Sequence, residues 1–126
     1  MTTALPVPQQ KQILLDHEKL TVYQTAIEFV ILVDNMIKSL PRGRAYLSDQ
    51  LQRAGLSIPL NIAEGAGEYS IDEKARFYRI AKRSATECAS ILDVCQKLQL
   101  IDEKFYAKGR ILLISIVSML IKMAQK

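Results

Sequence analysis

The length of 126 residues sets the size of a single domain, and 49% hydrophobic with 24% charged residues is the composition of an ordinary globular chain. A domain of this size buries roughly 65% of its unfolded surface, which excludes a need for stabilising disulfides or metals. Aromatic residues make up only 6% and tryptophan is absent, a mixture that favours helices. The net charge of +4 and the pI of about 9.1 raise the expectation of nucleic acid or another polyanion as partner.

The cysteines and the chain start favour a cytoplasmic protein. The first residues lack a basic start followed by an apolar run, so no signal peptide is expected. Cys88 and Cys95 would lie about 10.5 Å apart along a helix axis, too far to form a disulfide, and free apolar cysteines suit a reducing compartment. The longest nearly apolar run, residues 111–121, is too short to span a bilayer, so no membrane partner is expected.

The beginning of the chain differs in composition from the rest. Two prolines and the polar run QQKQ lie within the first twelve residues. We therefore predict a flexible arm over residues 1–16 and one folded domain over residues 17–126.

The first helix is predicted from about His17 to Ser39. Its apolar residues recur at intervals of three and four, the spacing of one helix face. Leu40, Pro41 and Gly43 then end it. The stripe comprises Tyr23, Ala26, Val30, Val33 and Ile37, and it is widened by Ile27, Ile31 and Met36.

The second helix is predicted from about Arg44 to Ala66, with Pro59 inside it. A proline in a helix interior removes one backbone hydrogen bond and costs about 3 kcal/mol in isolation. The apolar spacing nevertheless passes through Pro59 nearly in register, which favours a kinked but continuous helix. Gly65 or Gly67 is expected to end it in a left-handed cap. The stripe is Leu47, Leu51, Ala54, Ile58 and Ile62.

The third helix is predicted to open at a capping box formed by Ser70 and Glu73 and to run to about Leu98. Its apolar and small residues repeat in steps of four and three, which indicates packing in a bundle or coiled coil. This seam comprises Phe77, Ala81, Ser84, Cys88, Ile91, Cys95 and Leu98.

The fourth helix is predicted from an Asp102 cap to about Ala124 and is apolar nearly all round. Such a helix needs partners on all sides, which favours burial between subunits as well as in the core. Four helices of similar length with short loops predict an all-α, antiparallel up-down-up-down four-helix bundle. Its main stripe is Phe105, Leu112, Ile116, Met119 and Met123, and other sides carry Leu113, Ile114, Val117, Leu120 and Ile121.

The central third of the chain carries a family resemblance. Its residues are Ala54, Ser57-Ile58-Pro59, Asn61-Ile62-Ala63-Glu64-Gly65, Ser70, Arg76-Phe77, Ile80-Ala81, Ser84 and Glu87. This pattern resembles the four-helix-bundle proteins encoded by intervening sequences in bacterial 23S ribosomal RNA genes. The resemblance implies a homopentamer with an RNA-linked role. A distant branch with the same fold serves as the accessory protein of diversity-generating retroelements, which binds a reverse transcriptase and nucleic acid. The resemblance therefore implies this role as a second possibility.

A basic stripe lies on the third helix. Arg76, Arg79 and Arg83 fall on one face, pointing away from the seam, and Lys82 lies beside them. The planar guanidinium suits phosphate, so this face is the candidate RNA-binding site. The alternative is a solvated face whose arginines pair with Glu87 or with acids of a neighbour.

The residues around Pro59 have two interpretations. Asn61 and Glu64 would either form a polar patch for a partner or satisfy backbone groups near the proline, with Glu64 bonding to the start of the third helix. The structural interpretation is favoured. The family motif, taken as mostly structural, is Ser57, Pro59, Asn61, Ala63, Glu64 and Gly65.

Nothing in the sequence predicts an active site. His17 is the only histidine and is expected to be an exposed residue at a helix start, and no phosphate-binding loop, zinc spacing or nucleophile elbow is present. We therefore expect no catalytic residue, metal or cofactor. The sequence favours a non-enzymatic protein associated with RNA or a ribonucleoprotein. The alternative is a protein-binding adaptor, such as the accessory subunit of a reverse transcriptase.

Overall fold

The computed structural model describes residues 13–125, which form four α-helices and no strand. The all-α prediction is confirmed. The division into an arm (residues 1–16) and a domain (residues 17–126) stays a prediction. Residues 1–12 and Lys126 lie outside the described residues. A 3₁₀ turn, Asp16–Lys19, precedes the helices. The helices are α1 (Thr21–Ile37), α2 (Ala45–Ala66), α3 (Ile71–Lys97) and α4 (Glu103–Met123).

The helices form a closed square in which α1 contacts α2 and α4, and α3 contacts α2 and α4. Within residues 13–125, no Cα atoms of a diagonal pair of helices lie within 8 Å of each other. The predicted four-helix bundle is confirmed. Contacts between α2 and α3 pair Gly65 with Tyr78 and Ser57 with Ser84, a reversed order that antiparallel helices require. The full up-down-up-down order stays a prediction.

The core confirms the stripe of α2 and revises that of α1. All five predicted residues of α2 are buried, and the helix is continuous through Pro59 as predicted. The helix α1 starts at Thr21 and not at His17, because Leu20 has an extended backbone that separates it from the 3₁₀ turn. In its predicted stripe only Ala26 and Val33 are fully buried. The other buried residues of α1 are Val22, Phe29, Leu32 and Met36.

The buried seam of α3 is rotated relative to the predicted one. Ala81, Cys88 and Cys95 are buried as expected, and both cysteines are free. Phe77, Ser84 and Ile91 are only half-buried, and Leu98 is 44% exposed. Their places in the core are taken by Tyr78, Ala85 and Leu92. The prediction of that half of the seam was therefore wrong, since the core lies one residue further along the helix.

The helix caps follow the sequence in part. The Ser70 side chain accepts a hydrogen bond from the Glu73 amide at 3.3 Å, while the Glu73 carboxylate pairs with Arg76 and does not complete the box. Asp102 caps α4 as predicted, accepting from the Lys104 amide at 2.8 Å. The prediction of a left-handed glycine cap for α2 was wrong, because Gly67 ends the helix with φ −84°, in the right-handed region.

Helix α4 carries more apolar surface than the bundle covers. Leu112, Leu113, Ile116 and Leu120 are buried. On the opposite side three isoleucines remain 45–67% exposed, namely Ile111, Ile114 and Ile121. No helix between residues 13 and 125 has the length and hydropathy needed to cross a membrane.

Candidate nucleic-acid interface

The three arginines of the basic stripe project from α3 away from the core. Successive helix residues turn by about 100°, so spacings of three and four place Arg76, Arg79 and Arg83 close to opposite the buried seam. All three are exposed. The structure therefore brings these residues together on one solvent-facing surface, which we call the arginine face.

Arg76 is the member of the arginine face that has partners. Its guanidinium donates to the Glu73 carboxylate at 3.1–3.3 Å and lies 4.4 Å from the centre of the Phe77 ring. The hydrogen bond and charge of Glu73 raise the pKa of Arg76. This pairing offsets part of the positive charge and holds the side chain along the helix.

Arg79 and Arg83 have no such partner. Among residues 13–125, no carboxylate lies within 4.0 Å of either guanidinium, and Glu87 pairs with neither. Pairing within the described chain therefore holds for Arg76 alone, with Glu73 in place of Glu87, and pairing with acids of a neighbour stays a prediction. Two guanidinium groups about one helical turn apart remain open to an anionic ligand.

Lys82 does not belong to the same surface. It lies about a quarter of a turn from the arginines and is half-buried. Its backbone carbonyl accepts a hydrogen bond from the Thr86 hydroxyl at 3.1 Å. Lys82 can contribute charge to the flank of the arginine face, but it does not extend the row.

Two hydroxyl residues continue the row in place of Lys82. Thr86 and Ser90 follow Arg83 at intervals of three and four and are exposed. Serine and threonine hydroxyls are common phosphate contacts in protein–nucleic acid complexes. The Thr86 proton is already donated to the Lys82 carbonyl, which leaves the Ser90 hydroxyl to donate to a phosphate. Sequence reasoning missed this extension, although the same three–four spacing that revealed the arginines contains it.

The polar residues near Pro59 bond to each other. The Ser57 and Ser84 hydroxyl oxygens are 2.8 Å apart, which links α2 to α3. The Asn61 amide donates to the Ser57 carbonyl at 2.9 Å and to the Ser57 hydroxyl at 3.0 Å. This arrangement supports the structural interpretation of Asn61. The backbone carbonyl that accepts from the Asn61 amide is that of Ser57, two residues before Pro59.

The expected bond from Glu64 to α3 is made by a different residue. The Glu64 side chain is exposed and forms no hydrogen bond or ion pair within residues 13–125. Lys74 instead donates to the carbonyls of Gly65 and Ala66, at 3.3 and 3.0 Å. A lysine at the carboxyl end of a helix is electrostatically favourable there. In the rest of the motif, Pro59 is buried and Ala63 is half-buried.

The arrangement offers electrostatic binding and little else. Among the described residues, no group of three or more His, Cys, Asp or Glu could hold a metal ion. His17 is half-buried, not exposed as predicted, and its ring makes an edge contact with Tyr23 at 4.6 Å between centroids. The exposed guanidinium groups of the arginine face are chemically suited to holding phosphate groups.

Comparisons with known proteins agree with this fold. A crystal structure of a protein with unknown function from the S23 ribosomal protein family of Bacteroides thetaiotaomicron VPI-5482 has a TM-score of 0.77 and 24% identity, covering 84% of this chain and 100% of that chain. This similarity supports the fold alone. Comparison with curated proteins gives no match. The model of the 23S rRNA-intervening sequence protein family matches residues 18–122. The chain therefore belongs to the 23S rRNA-intervening sequence protein family.

Proposed function

We propose that this protein is a non-enzymatic RNA-associated protein that binds RNA phosphates through the arginine face. The observation that carries the proposal is the pair Arg79 and Arg83, exposed on one side of α3 without an acidic partner in the described chain. Membership of a family defined by rRNA intervening sequences supports RNA as the polyanion. The two free cysteine thiols in the core support action in the cytoplasm.

The chemistry of the face determines the kind of binding. Guanidinium groups contact the phosphate backbone and fix the position of the RNA, but they do not read its sequence. Each phosphate contact releases counterions, so affinity falls steeply as salt rises. Arg76 should contribute less than Arg79 or Arg83, because Glu73 already accepts from its Nε and one terminal nitrogen and offsets part of its charge. Lys82 adds charge at the flank.

The test is RNA binding by the double variant Arg79→Ala/Arg83→Ala. A fluorescently labelled hairpin RNA from 23S rRNA is titrated with protein at several salt concentrations. We expect affinity to fall about tenfold or more, since hydrogen bonds to charged groups contribute about 1.5–3 kcal/mol each. The salt slope should fall by about two. The matched control Lys38→Ala/Arg42→Ala removes two exposed cations from the connection between α1 and α2 and should leave most of the affinity. Unchanged affinity in the arginine variant would contradict the proposal.

The proposal includes self-assembly. The resemblance implies a pentamer, and the isoleucines left exposed on α4 support burial between subunits. Light scattering should give a mass of five protomers of 14.2 kDa each. A mass of one protomer would exclude the assembly.

The alternative function is that of a protein-binding adaptor, such as a partner of a reverse transcriptase. It makes the opposite prediction for a pulldown from native cells. A protein partner would stay bound after nuclease treatment, and the arginine variant would retain it. Loss of all bound material with the RNA supports the proposed RNA-binding function.

A further inference from the structure

Helix α4 has an exposed seam with the spacing of a coiled coil. We call it the α4 outer face, and its residues follow one another in steps of four and three: Ala107, Ile111, Ile114, Ser118 and Ile121. All five are exposed, and Ile111 is the most exposed of the three isoleucines of this face, at 67%. An apolar heptad row predicts a second helix packed against it. Within residues 13–125 no such helix covers this face.

The charges beside the α4 outer face are mainly positive, although Asp93 of α3 lies 4.0 Å from the Arg110 guanidinium and offsets that charge. Exposed cations flank it along its length, namely Lys104, Lys108, Arg110 and Lys122. The one acid on α4 is Glu103, in the first turn. Two copies of this face brought together would place cations against cations, which costs free energy. The surface that covers it should therefore be apolar at its centre and acidic at its ends.

Helix α2 has such a surface. Its outer face comprises Asp49, Arg53, Leu56, Leu60 and Glu64, all of them exposed. Leu56 and Leu60 are 50% and 56% exposed, and an acid lies beyond them on each side. We call this the α2 outer face. Because α2 and α4 occupy diagonal corners of the square, this face and the α4 outer face point away from each other.

The charge spacing of the two faces matches. Asp49 and Glu64 lie about 22 Å apart along α2, at 1.5 Å per residue. Lys108 and Lys122 lie about 21 Å apart along α4 by the same rise. The exposed leucines and isoleucines fall between these charges in both helices, and the α2 span also contains one cation, Arg53, one turn from Asp49. Two oppositely charged pairs can therefore meet at the ends while the apolar residues meet at the centre.

We propose that the α4 outer face of one protomer docks on the α2 outer face of a second copy. This inference rests on the proposed self-assembly and identifies the surfaces that form it. The contact is heterologous, so each protomer keeps one free face of each kind and further copies can be added until a ring closes. Apolar burial at the centre provides the attraction, and the charges set the register.

The test uses one variant for each face. Ile111→Glu/Ile114→Glu disables the α4 outer face, and Leu56→Glu/Leu60→Glu disables the α2 outer face. By light scattering, each variant alone should have the mass of one protomer. Mixed in equal amounts, they should form a complex of two protomers, because each retains the face that the other lacks.

A matched control and a charge exchange complete the experiment. Val94→Glu changes a valine on α3 that is 45% exposed and belongs to neither face, so it should keep the wild-type mass. Lys108→Glu/Lys122→Glu should weaken assembly, and adding Asp49→Lys/Glu64→Lys should restore it. These charge variants leave the exposed isoleucines and leucines of both faces unchanged. They therefore test the docking even if the variants with glutamate at those apolar positions fail to fold.

The outcomes separate the two proposals. A wild-type protein with the mass of one protomer overturns the proposed self-assembly. A wild-type assembly that persists in both face variants overturns only the assignment of these faces. Persistence in the α2 variant alone overturns the heterologous contact and indicates that α4 pairs with itself. RNA binding is measured independently through Arg79 and Arg83.

Discussion

A β-carbon on Gly65 would lie 2.6 Å from Cε1 and 2.9 Å from Cδ1 of Tyr78. The ring of Tyr78 is buried, and burial raises the pKa of its hydroxyl. Helices α2 and α3 therefore approach each other closely where the family motif has its glycine. The requirement for glycine at this position is one of space, since α2 continues through it with helical backbone.

Gly65→Ala should destabilise the bundle. Alanine improves helix propensity by about 1 kcal/mol, but the added methyl overlaps a buried ring, and overpacking typically costs about 1–3 kcal/mol. The difference of these two effects should lower the free energy of unfolding in urea by about 1 kcal/mol. Gly67→Ala is the matched control, because its nearest neighbours would lie at 3.6 and 3.7 Å. Equal effects of the two substitutions would contradict the packing argument.

Gln99→Gly should stabilise the bundle. Gln99 has φ 58° at the end of α3, where Leu100 donates to the Cys95 carbonyl at 2.9 Å and Gln99 donates to the Gln96 carbonyl at 3.0 Å. This is a Schellman ending, which glycine adopts without the left-handed penalty of about 1–2 kcal/mol. The unfolding free energy should rise by about 1 kcal/mol. Gln99→Ala keeps the β-carbon and should show no such gain.

The thiol of Cys88 should make stability fall at high pH. Burial, with a smaller effect of the Glu87 charge, raises the pKa of Cys88 from 9.0 to about 12. The unfolded chain therefore loses this proton near pH 9 while the folded protein keeps it, which favours unfolding as pH rises through that window. The loss is about 1.4 kcal/mol per pH unit.

The check is unfolding at pH 8 and pH 10 in the wild-type protein and in Cys88→Ala. The decrease in unfolding free energy between the two pH values should be about 1 kcal/mol smaller in the variant. All other side chains are the same in both proteins, so their contributions cancel in the comparison. An identical decrease would exclude a contribution from Cys88.

Asn61→Ala should reduce stability without changing RNA binding. The substitution removes the two hydrogen bonds to Ser57, and a typical intramolecular hydrogen bond contributes about 1 kcal/mol. Thermal unfolding measures the loss, and titration with the hairpin RNA measures affinity. Asn35→Ala, on the exposed side of α1, is the control for stability. A loss of affinity with unchanged stability would restore the interpretation of Asn61 as a contact for a partner.

The helix pattern was predictable where large aliphatic residues define one side. The stripe of α2 is correct because Leu47, Leu51, Ile58 and Ile62 leave no second apolar row of equal size. In α3 two rows compete on either side of Ala81, Cys88 and Cys95. Residue size alone favoured the row of Phe77 and Ile91. The ring of Tyr78 instead packs in the core against Gly65 of α2. This contact between two helices cannot be deduced from the spacing of residues along α3.

The candidate interface was predictable in position but not in detail. Periodicity alone placed Arg76, Arg79 and Arg83 on the side away from the core. Which arginine forms an ion pair depends on the side-chain conformation at the start of α3. There the Glu73 carboxylate bonds to Arg76 and does not complete the capping box with Ser70. That choice between two partners of similar strength has no signature in the sequence.

The square arrangement of the helices has a consequence for the order in which they come together. Three sides of the square join helices that are consecutive in the chain, whereas the side between α1 and α4 joins its two ends. Closing a longer loop carries a larger entropic cost, so this side should form last during folding. It should also open first in native hydrogen exchange, with the amides of α1 exchanging before those of α2 and α3. The bundle is in this respect a helical hairpin of α2 and α3 on which the terminal helices meet.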